Sequence, residues 1–425
     1  MTIIMLGVGP IFALSPRVPH TQPSVRISLE QAEKMAIAHN RTLQAERTLI
    51  LQSKANQTTA RLRPNPVFET DSLFLPVFSP SQFTSKNLSN NIEFDAGISY
   101  PFELGGKREA RMKAAQEATN VTTYQVRNYE RRLRYRVAEQ FINVLYAQSK
   151  LSFAKQDLTS FDGSLSISQK QYKAGSISHG SLLKIQLQRL LFQTDVQSAK
   201  VEAIQAKNQL RQLVGFSALP QHFEVIGKLQ ANDPKRSLMG LEAEALRTRP
   251  DLQAAREKVI EAQGQLVLAK ANRYPNLSTT LDYTHLYGLS NLSAYATIGI
   301  PIFNRNQGNI ARSSAQITQA QNMRHAVESM VLTQVRSAYA QEQSALQVVM
   351  LYQSGYLQDA KQSLQISAYA YLRGDTGLIN FLDAERSYRT VEVNYRRALA
   401  RAMLSEQRVE ESVGAPTLSR KVDHP

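Results

Sequence analysis

Glu93 and Asp95 stand two residues apart in 92–100, where Ile92, Phe94, Ala96, Ile98 and Tyr100 alternate with Glu93, Asp95, Gly97 and Ser99. Period-two alternation marks a strand with one apolar and one wet face, so the two carboxylates point the same way. Glu69 and Asp71 share a face within 67–75, opposite Phe68 and Phe74. Asp282 stands with Ser278, Thr280 and Thr284, opposite Leu277, Leu281, Tyr283 and Tyr287. Carboxylates gathered on wet strand faces, in a chain of net charge +15, would favour cations through their field; that they only keep those faces wet is equally open. They do not make a ligand cage. His20, His39, His179, His222, His285, His325 and His424 include no helical i, i+4 pair, and cysteine is absent, so no tight metal site is expected. Ser, His and Asp occur in no nucleophile elbow, and no phosphate loop or long glycine loop would hold a cofactor. The chain is expected to be no enzyme, with neither catalytic residues nor cofactor.

Something must hold those carboxylates in register. In 294–300 Ala294, Ala296, Ile298 and Ile300 form another apolar face, and 76–91 and 288–292 are rich in turn formers. The chain therefore carries two hairpins, within 67–101 and 277–303, of strands about ten residues long. That is the length of a tilted membrane strand, ~9–11 residues. Four strands cannot close a barrel, and open edges are not tolerated in lipid. Several copies must share one barrel if lipid is the solvent; periodicity alone leaves a small soluble sheet packed on helices equally open.

The hairpins recur because the chain is a tandem duplication. Residues 164–215 lie on 363–414 without a gap, matching Tyr172, Gly175, Leu183 and Val214-Gly215 to Tyr371, Gly374, Leu382 and Val413-Gly414. Ser28-Leu29, Glu33, Ala36 and Leu43-Gln44-Ala45 likewise match Ser237-Leu238, Glu242, Ala245 and Leu252-Gln253-Ala254. The repeats span 28–215 and 237–414, joined by a linker or small collar at 216–236 and followed by a disordered tail at 415–425.

Within each repeat a helix starts at its serine cap, near 29–39 in the first. A second, near 42–63, is stopped by Pro64-Asn65-Pro66, as its copy is stopped at Tyr274-Pro275-Asn276. Between Lys107 and Ala174 the only glycine is Gly163 and there is no proline. Val137, Val144, Leu151, Leu158, Leu165 and Tyr172 recur every seven residues there, which predicts coiled-coil packing. At ~1.5 Å per residue such a helix reaches on the order of 100 Å, a rod rather than a compact enzyme. The second copy keeps Met350, Leu357, Leu364 and Tyr371 in step. Gly175 and Gly374 suit left-handed helix ends, making 172–182 and 371–381 the tips of two helical hairpins whose pattern resumes at Leu183, Leu187 and Leu190.

Arg127, Arg131, Arg132, Arg134 and Arg136, with Glu130, read as a solvated or subunit-facing helix face; no nucleic-acid motif accompanies them. No run of 18 apolar residues predicts a spanning helix. The apolar stretch from Ile3 to Leu14, followed by Pro16 and Pro19, reads as a signal remnant without its positive n-region or as a disordered leader, over 1–27.

A duplicated module of helix, paired strands, very long helix, glycine tip and return helix resembles the TolC-type outer membrane factor family over nearly the whole of 28–414. Pro101-Phe102-Glu103-Leu104-Gly105-Gly106-Lys107-Arg108 resembles the subgroup serving cobalt, zinc and cadmium efflux pumps. The resemblance implies a mainly α fold with a β-barrel contribution: a homotrimeric channel-tunnel in the outer membrane of a Gram-negative bacterium, its helical tunnel in the periplasm. It implies a periplasmic adaptor and an inner-membrane resistance-nodulation-division pump as partners, outer membrane lipid as solvent, and heavy-metal cations as cargo. Three chains of four strands give an even, closed barrel, and five carboxylates per chain would become fifteen around its lumen.

By the same resemblance Tyr371 matches a tip-locking tyrosine and Asp383 an acidic residue narrowing the tunnel, while Asn380 stands where a second aspartate is common. Thr376, beside Asp375, replaces the family's locking arginine, and Lys184 occupies the place of Asp383 in the first repeat. Gly175, Ser176, Gly374, Thr376 and Gly377 fall at the tips that meet the adaptor. A drug or type I protein secretion duct of the same family is the neighbouring alternative, and a non-transport periplasmic coiled-coil scaffold the competing class.

Overall fold

Ser28 and Ser237 open the two repeats as helix N-caps. In the computed structural model, which describes residues 25–414, the Ser28 hydroxyl accepts from the Gln31 N–H at the start of α1 (Leu29–His39). The Ser237 hydroxyl accepts from the Gly240 N–H at the start of α6 (Leu238–Thr248). After one intervening residue come α2 (Arg41–Arg61) and α7 (Pro250–Ala271). The shared Leu-Gln-Ala acts identically in both repeats. Leu43 and Leu252 are fully buried, and Gln44 and Gln253 donate to the carbonyls of Ala38 and Arg247 at 3.0 and 2.8 Å.

The strands β2 (Val67–Leu73), β3 (Glu93–Phe102), β5 (Leu277–Leu286) and β6 (Leu289–Ile298) form one antiparallel sheet in the order β2-β3-β5-β6. Among the described residues, neither outer strand, β2 or β6, has a second partner. A short helix, α3 (Ser85–Asn91), occupies part of the first connection. The second connection is tighter than the expected 288–292: Tyr287 and Gly288 turn with positive φ, and 289–292 already belong to β6. Ser290 and Asn291 are turn formers by type, but here they extend the strand: Asn291 lies on the polar face opposite Thr284, and Ser290, on the other face, bonds the Tyr283 hydroxyl at 2.9 Å.

The long helix α4 (Lys107–Lys173) runs unbroken for 67 residues and returns through α5 (His179–Val214). Its counterpart is broken. α8 (Gln307–Leu351) meets a π turn at Tyr352–Tyr356 before α9 (Leu357–Arg373) and the return helix α10 (Leu378–Val413). The expected heptad phase does not survive this break, and Met350 is exposed while Tyr371 is buried. Both tips close alike. Ser176 N–H donates to Gln171 and Asp375 N–H to Ala370, over left-handed Gly175 and Gly374, the wide turn that glycine allows at a helix end.

Three readings are corrected by packing. Leu183, Leu187 and Leu190 do not face their own hairpin; Leu182, Ile185 and Phe192 are buried in their place. Val25–Ile27, assigned to the leader, is β1, paired in parallel with β4 (Phe223–Val225) of the linker; the rest of the leader and the tail 415–425 lie outside the described residues. Arg131 does not belong to a solvated face: it is buried against Glu411 and Asp251.

Apolar cores gather where elements cross. One holds Ile27, Leu43, Val137, Leu210 and Phe223 around the β1–β4 pair, and its counterpart holds Leu241, Leu252, Val335 and Val409. A third, at the tips, joins Phe161, Ile185 and Phe192 of the first hairpin to Tyr371, Leu378 and Phe381 of the second.

Candidate functional site

Strand register decides which carboxylates meet. Residues directly opposite in an antiparallel sheet share a face. Asp71 lies opposite Asp95, which lies opposite Thr284. Glu69 lies opposite Gly97 and Gly97 opposite Asp282, while Glu93 lies opposite Leu73. All five carboxylates therefore occupy one face of the sheet, continued on β6 by Asn291 and Ser293. The other face carries Phe68, Ile98, Leu281 and Ala294 in one row, and Ala96, Tyr283 and Leu292 in the next. Gly97 makes the acidic face possible, since a Cβ there would lie 2.6 Å from Asp282 Oδ1 and 3.2 Å from the Leu281 carbonyl. Among the described residues no group of three or more His, Asp or Glu is arranged to hold a metal ion.

The eight-residue signature 101–108 is a joint between sheet and rod. Arg111 holds Glu103 through two hydrogen bonds, at 2.6 and 3.1 Å, and caps the end of α2 by donating to the Ala60 and Leu62 carbonyls. Burial opposes ionisation of Glu103, but the Arg111 hydrogen bond outweighs it and keeps its carboxyl below the usual range. Arg108 donates to the Arg61 carbonyl, and Lys107 to Asn276 at the start of the second hairpin. Gly105 has φ +74, and a Cβ there would sit 2.4 Å from the Tyr274 ring. Gly106 shares the left-handed backbone but has nothing within 4 Å of such a Cβ. Gly106→Ala should therefore cost only the backbone penalty, about 1 kcal/mol, and Gly105→Ala at least twice that. Chemical denaturation of the purified protein compares them, and equal losses would mean that Tyr274 does not clamp the joint.

At the tip the residues singled out by sequence divide. Tyr371 is buried, stacks on Phe381 with ring centroids 5.3 Å apart, and places its hydroxyl 3.4 Å from Ser168 Oγ. Asn380 is exposed and donates to Thr376 Oγ1 at 2.7 Å. Asp375, Asp383 and Lys184 are exposed, and Asp383 forms no ion pair with Lys184 within the chain. Gly175, Ser176, Gly374 and Gly377 are exposed, with Thr376 half-buried.

Sequence reasoning missed the buried charges. Arg249, 1% exposed, caps α7 where Asn40 caps α2, and each donates to the equivalent backbone carbonyl of its return helix, Ser412 and Leu213. The second repeat thus places a guanidinium where the first has a neutral amide, and Asp251 answers it at 2.5 and 3.0 Å. Near the tip, the buried Asp157 and Glu385 meet half-buried Arg389. Helical spacing on a single strand of sequence gives no sign of either, since the partners lie on different helices.

Among the described residues no helix is long and apolar enough to cross a membrane; the apolar sheet face is the surface suited to lipid. Against known proteins, residues 33–216 and 241–415 match the family described as outer membrane efflux protein. The cobalt-zinc-cadmium resistance protein CzcC of Cupriavidus metallidurans is 24% identical over 390 residues, covering 91% of this chain and 90% of the relative. The cation efflux system protein CusC of Escherichia coli K12 is 27% identical over 338 residues, covering 73% and 72%. A solved structure of CusC superposes with a TM-score of 0.75 at 21% identity, covering 96% of this chain and 97% of that one. Two family segments, each holding one sheet hairpin and one helical hairpin, span both repeats: the chain belongs to the outer membrane efflux protein family and acts as a channel of the outer membrane.

Proposed function

We propose that three copies pool their sheets into one barrel of about twelve strands and their helices into one tunnel, through which heavy-metal cations leave the cell. The observation that carries this reading is the sheet itself, with an apolar face, an acidic face and two unpaired edges, β2 and β6. In lipid those edges must pair with neighbouring copies. A second surface favours the same assembly. On α5 the residues 183, 187, 190, 194, 197, 201 and 204 keep alternating spacings of four and three, and Leu183, Leu187, Leu190, Val201 and Ile204 on this stripe are exposed. An unpartnered heptad stripe calls for another helix.

The metal cargo rests on the relatives' names together with the acidic wall. A periplasmic adaptor would meet the tips at Gly175, Ser176, Gly374, Thr376 and Gly377, and an inner-membrane resistance-nodulation-division pump would supply the energy. Tyr371, Asn380, Asp375, Asp383 and Lys184 would set the width and charge of the tunnel mouth. Glu69, Asp71, Glu93, Asp95 and Asp282 would make the lumen cation-selective, as charged rings do in channels. The test is the reversal potential of the reconstituted channel in a salt gradient. Glu93→Gln with Asp95→Asn removes six of the fifteen carboxylates and should cut the cation preference roughly by half at low salt. An unchanged reversal potential would remove the selective lumen, and a purified protein that stays monomeric and soluble without detergent would remove the channel.

A further inference from the structure

The two long hairpins are built on one plan, yet only the second is interrupted. Gly355 within the π turn has φ 136 and ψ −33, far from helical values. The repeat alignment, continued toward the N-terminus in the same phase, puts it opposite Gln156, in the unbroken α4. A Cβ at Gly355 would meet only Asp359, at 3.8 Å, so backbone shape and not crowding calls for glycine. Such π turns are frequent at functional sites and are a recognised source of helix kinks. Beyond this break the second hairpin is one arm, α9 with the first part of α10, lying against α4 and α5.

What holds the arm is unusual for a coiled coil. One turn from the stacked rings of Phe161, Phe192 and Phe381, Glu385 of α10 hydrogen-bonds Asp157 of α4, and both residues are more than nine-tenths buried. Two carboxylates can hydrogen-bond only if one proton lies between them. Arg389 of α10 brings Nε to 2.7 Å from Asp157 Oδ2 and pairs also with Asp195 of α5, its guanidinium 4.1 Å from the Phe192 ring centroid. Neither Asp157 Oδ2 nor Arg389 Nε has an aligned hydrogen-bond partner, so charge balance, not directional bonding, holds that contact. Further along the seam, Tyr388 donates to Glu392, and Arg396 pairs with Glu392 while lying 4.5 Å from the Phe153 ring centroid. On the tip side the next polar contact is Ser168 with Tyr371.

We propose that the tip half of the second hairpin is a proton-controlled arm, pivoting at Gly355 and clamped to α4 and α5 by the single proton shared between Asp157 and Glu385 in the grip of Arg389. With that proton present the buried pair carries one negative charge and Arg389 balances it. Burial, then the charge of Asp157, raises the carboxyl of Glu385 to about 8, and burial raises that of Asp157 as well. Loss of the shared proton leaves two negative charges facing one guanidinium in a buried seam, and α10 separates from α4. The clamp is therefore complete at low pH and is lost as pH rises through about 8. Its release parts Tyr371 and Phe381 from Phe161 and Phe192 and so widens the tip; that consequence rests on the channel reading, but the clamp does not.

Amide hydrogen exchange on the purified full chain in detergent, corrected for the intrinsic rate at each pH, tests the clamp without requiring transport. Protection across α9 and the first half of α10 should fall about tenfold per pH unit between the ordinary carboxylate value of 4.5 and about 8 and level off above it, the course of a one-proton linkage. Protection in α4 should hold, and the fall across α9 and α10 should exceed any fall in α8 on the other side of Gly355. Glu385→Gln keeps a neutral donor to Asp157 and should abolish the fall; Asp157→Asn, which removes the shared proton from the other side, serves if the first variant folds poorly. Constant protection in the wild type, loss extending equally through α8, or an undiminished slope in the variants would overturn the proposal. In planar bilayers the wild-type conductance should rise over the same range and the Gln variant stay flat. Unchanged conductance beside the expected exchange pattern would strike the channel consequence alone.

Discussion

Asp251→Ala should be the most damaging single substitution where the repeats meet, costing about 3–5 kcal/mol of stability, because it strands two buried guanidiniums. Arg249 and Arg131 have side chains only 1% and 7% exposed. Asp251 contacts Arg249 at 2.5 Å and Arg131 at 3.8 Å, and accepts the Leu252 N–H at 3.0 Å. Without it Arg249 keeps Gln334 and the Ser412 carbonyl, and Arg131 keeps Asn128 and Glu411, leaving one carboxylate for two cations. The network ties α4 of the first repeat to α7 and α10 of the second, so its failure loosens the repeats from each other. Burial alone would raise the Asp251 carboxyl, but the Arg249 hydrogen bonds and both positive charges outweigh it and hold it below the usual range. Its contribution is present above the ordinary carboxylate pKa and is lost as pH falls through the depressed value. Denaturant unfolding in detergent measures the loss, and Arg249→Met added to Asp251→Ala should recover part of it by removing a stranded charge. A loss below about 1 kcal/mol would mean that the network carries no stability.

Much of this fold was legible because it is punctuated. Serine caps, the Pro-Asn helix ends and the tip glycines act locally, so they mark the bounds of α1, the length of α4 and both helical tips without knowledge of partners. Strand parity was equally legible, since a one-residue slip would turn every carboxylate toward the apolar face. The corrections lie where a choice depends on something distant. Leu183 and Leu182 both begin stripes of heptad spacing on α5, and the sequence does not say which one meets its own hairpin. The β1–β4 pair joins segments some 200 residues apart through three residues each, too short for any pattern. Gly355 stands in a run whose heptad reading, Met350 and Leu357, passes over it, so the spacing gives no sign of the break. The 101–108 signature, which resembles that of metal efflux proteins, is also a mechanical joint, in which Gly105, Lys107 and Arg108 meet Tyr274, Asn276 and the end of α2.

Stability should decline from pH 5 to pH 8, and Glu342→Gln should remove much of that decline. Glu342 sits on α8, 1% exposed, with neither carboxylate oxygen hydrogen-bonded. Burial raises its carboxyl to about 7, beyond what the attraction of Arg236 can offset, and the nearby charges of Glu406, Glu410 and Asp233 push the same way. Arg236 is itself engaged by Glu406 and Glu410 at 3.6 and 3.5 Å, so it is a shared cation rather than a dedicated partner. The folded protein therefore holds this proton more tightly than the unfolded chain does. The stability that proton confers is complete below about pH 4.5 and lost as pH rises through about 7, a difference of roughly 3 kcal/mol. Glutamine keeps the neutral shape at every pH, so the variant should match the wild type near pH 5 and exceed it at pH 8. Most of the residual slope belongs to Glu385, raised in the same direction, with less from Glu117, and Glu342→Gln with Glu385→Gln should be flatter than either single variant. Arg236→Ala should steepen the wild-type decline, because it removes the one attraction that favours ionised Glu342. Thermal unfolding across this range measures all four proteins. If the wild type is as stable at pH 8 as at pH 5, Glu342 is reached by water or a counter-ion in solution and is not held dry beneath α10.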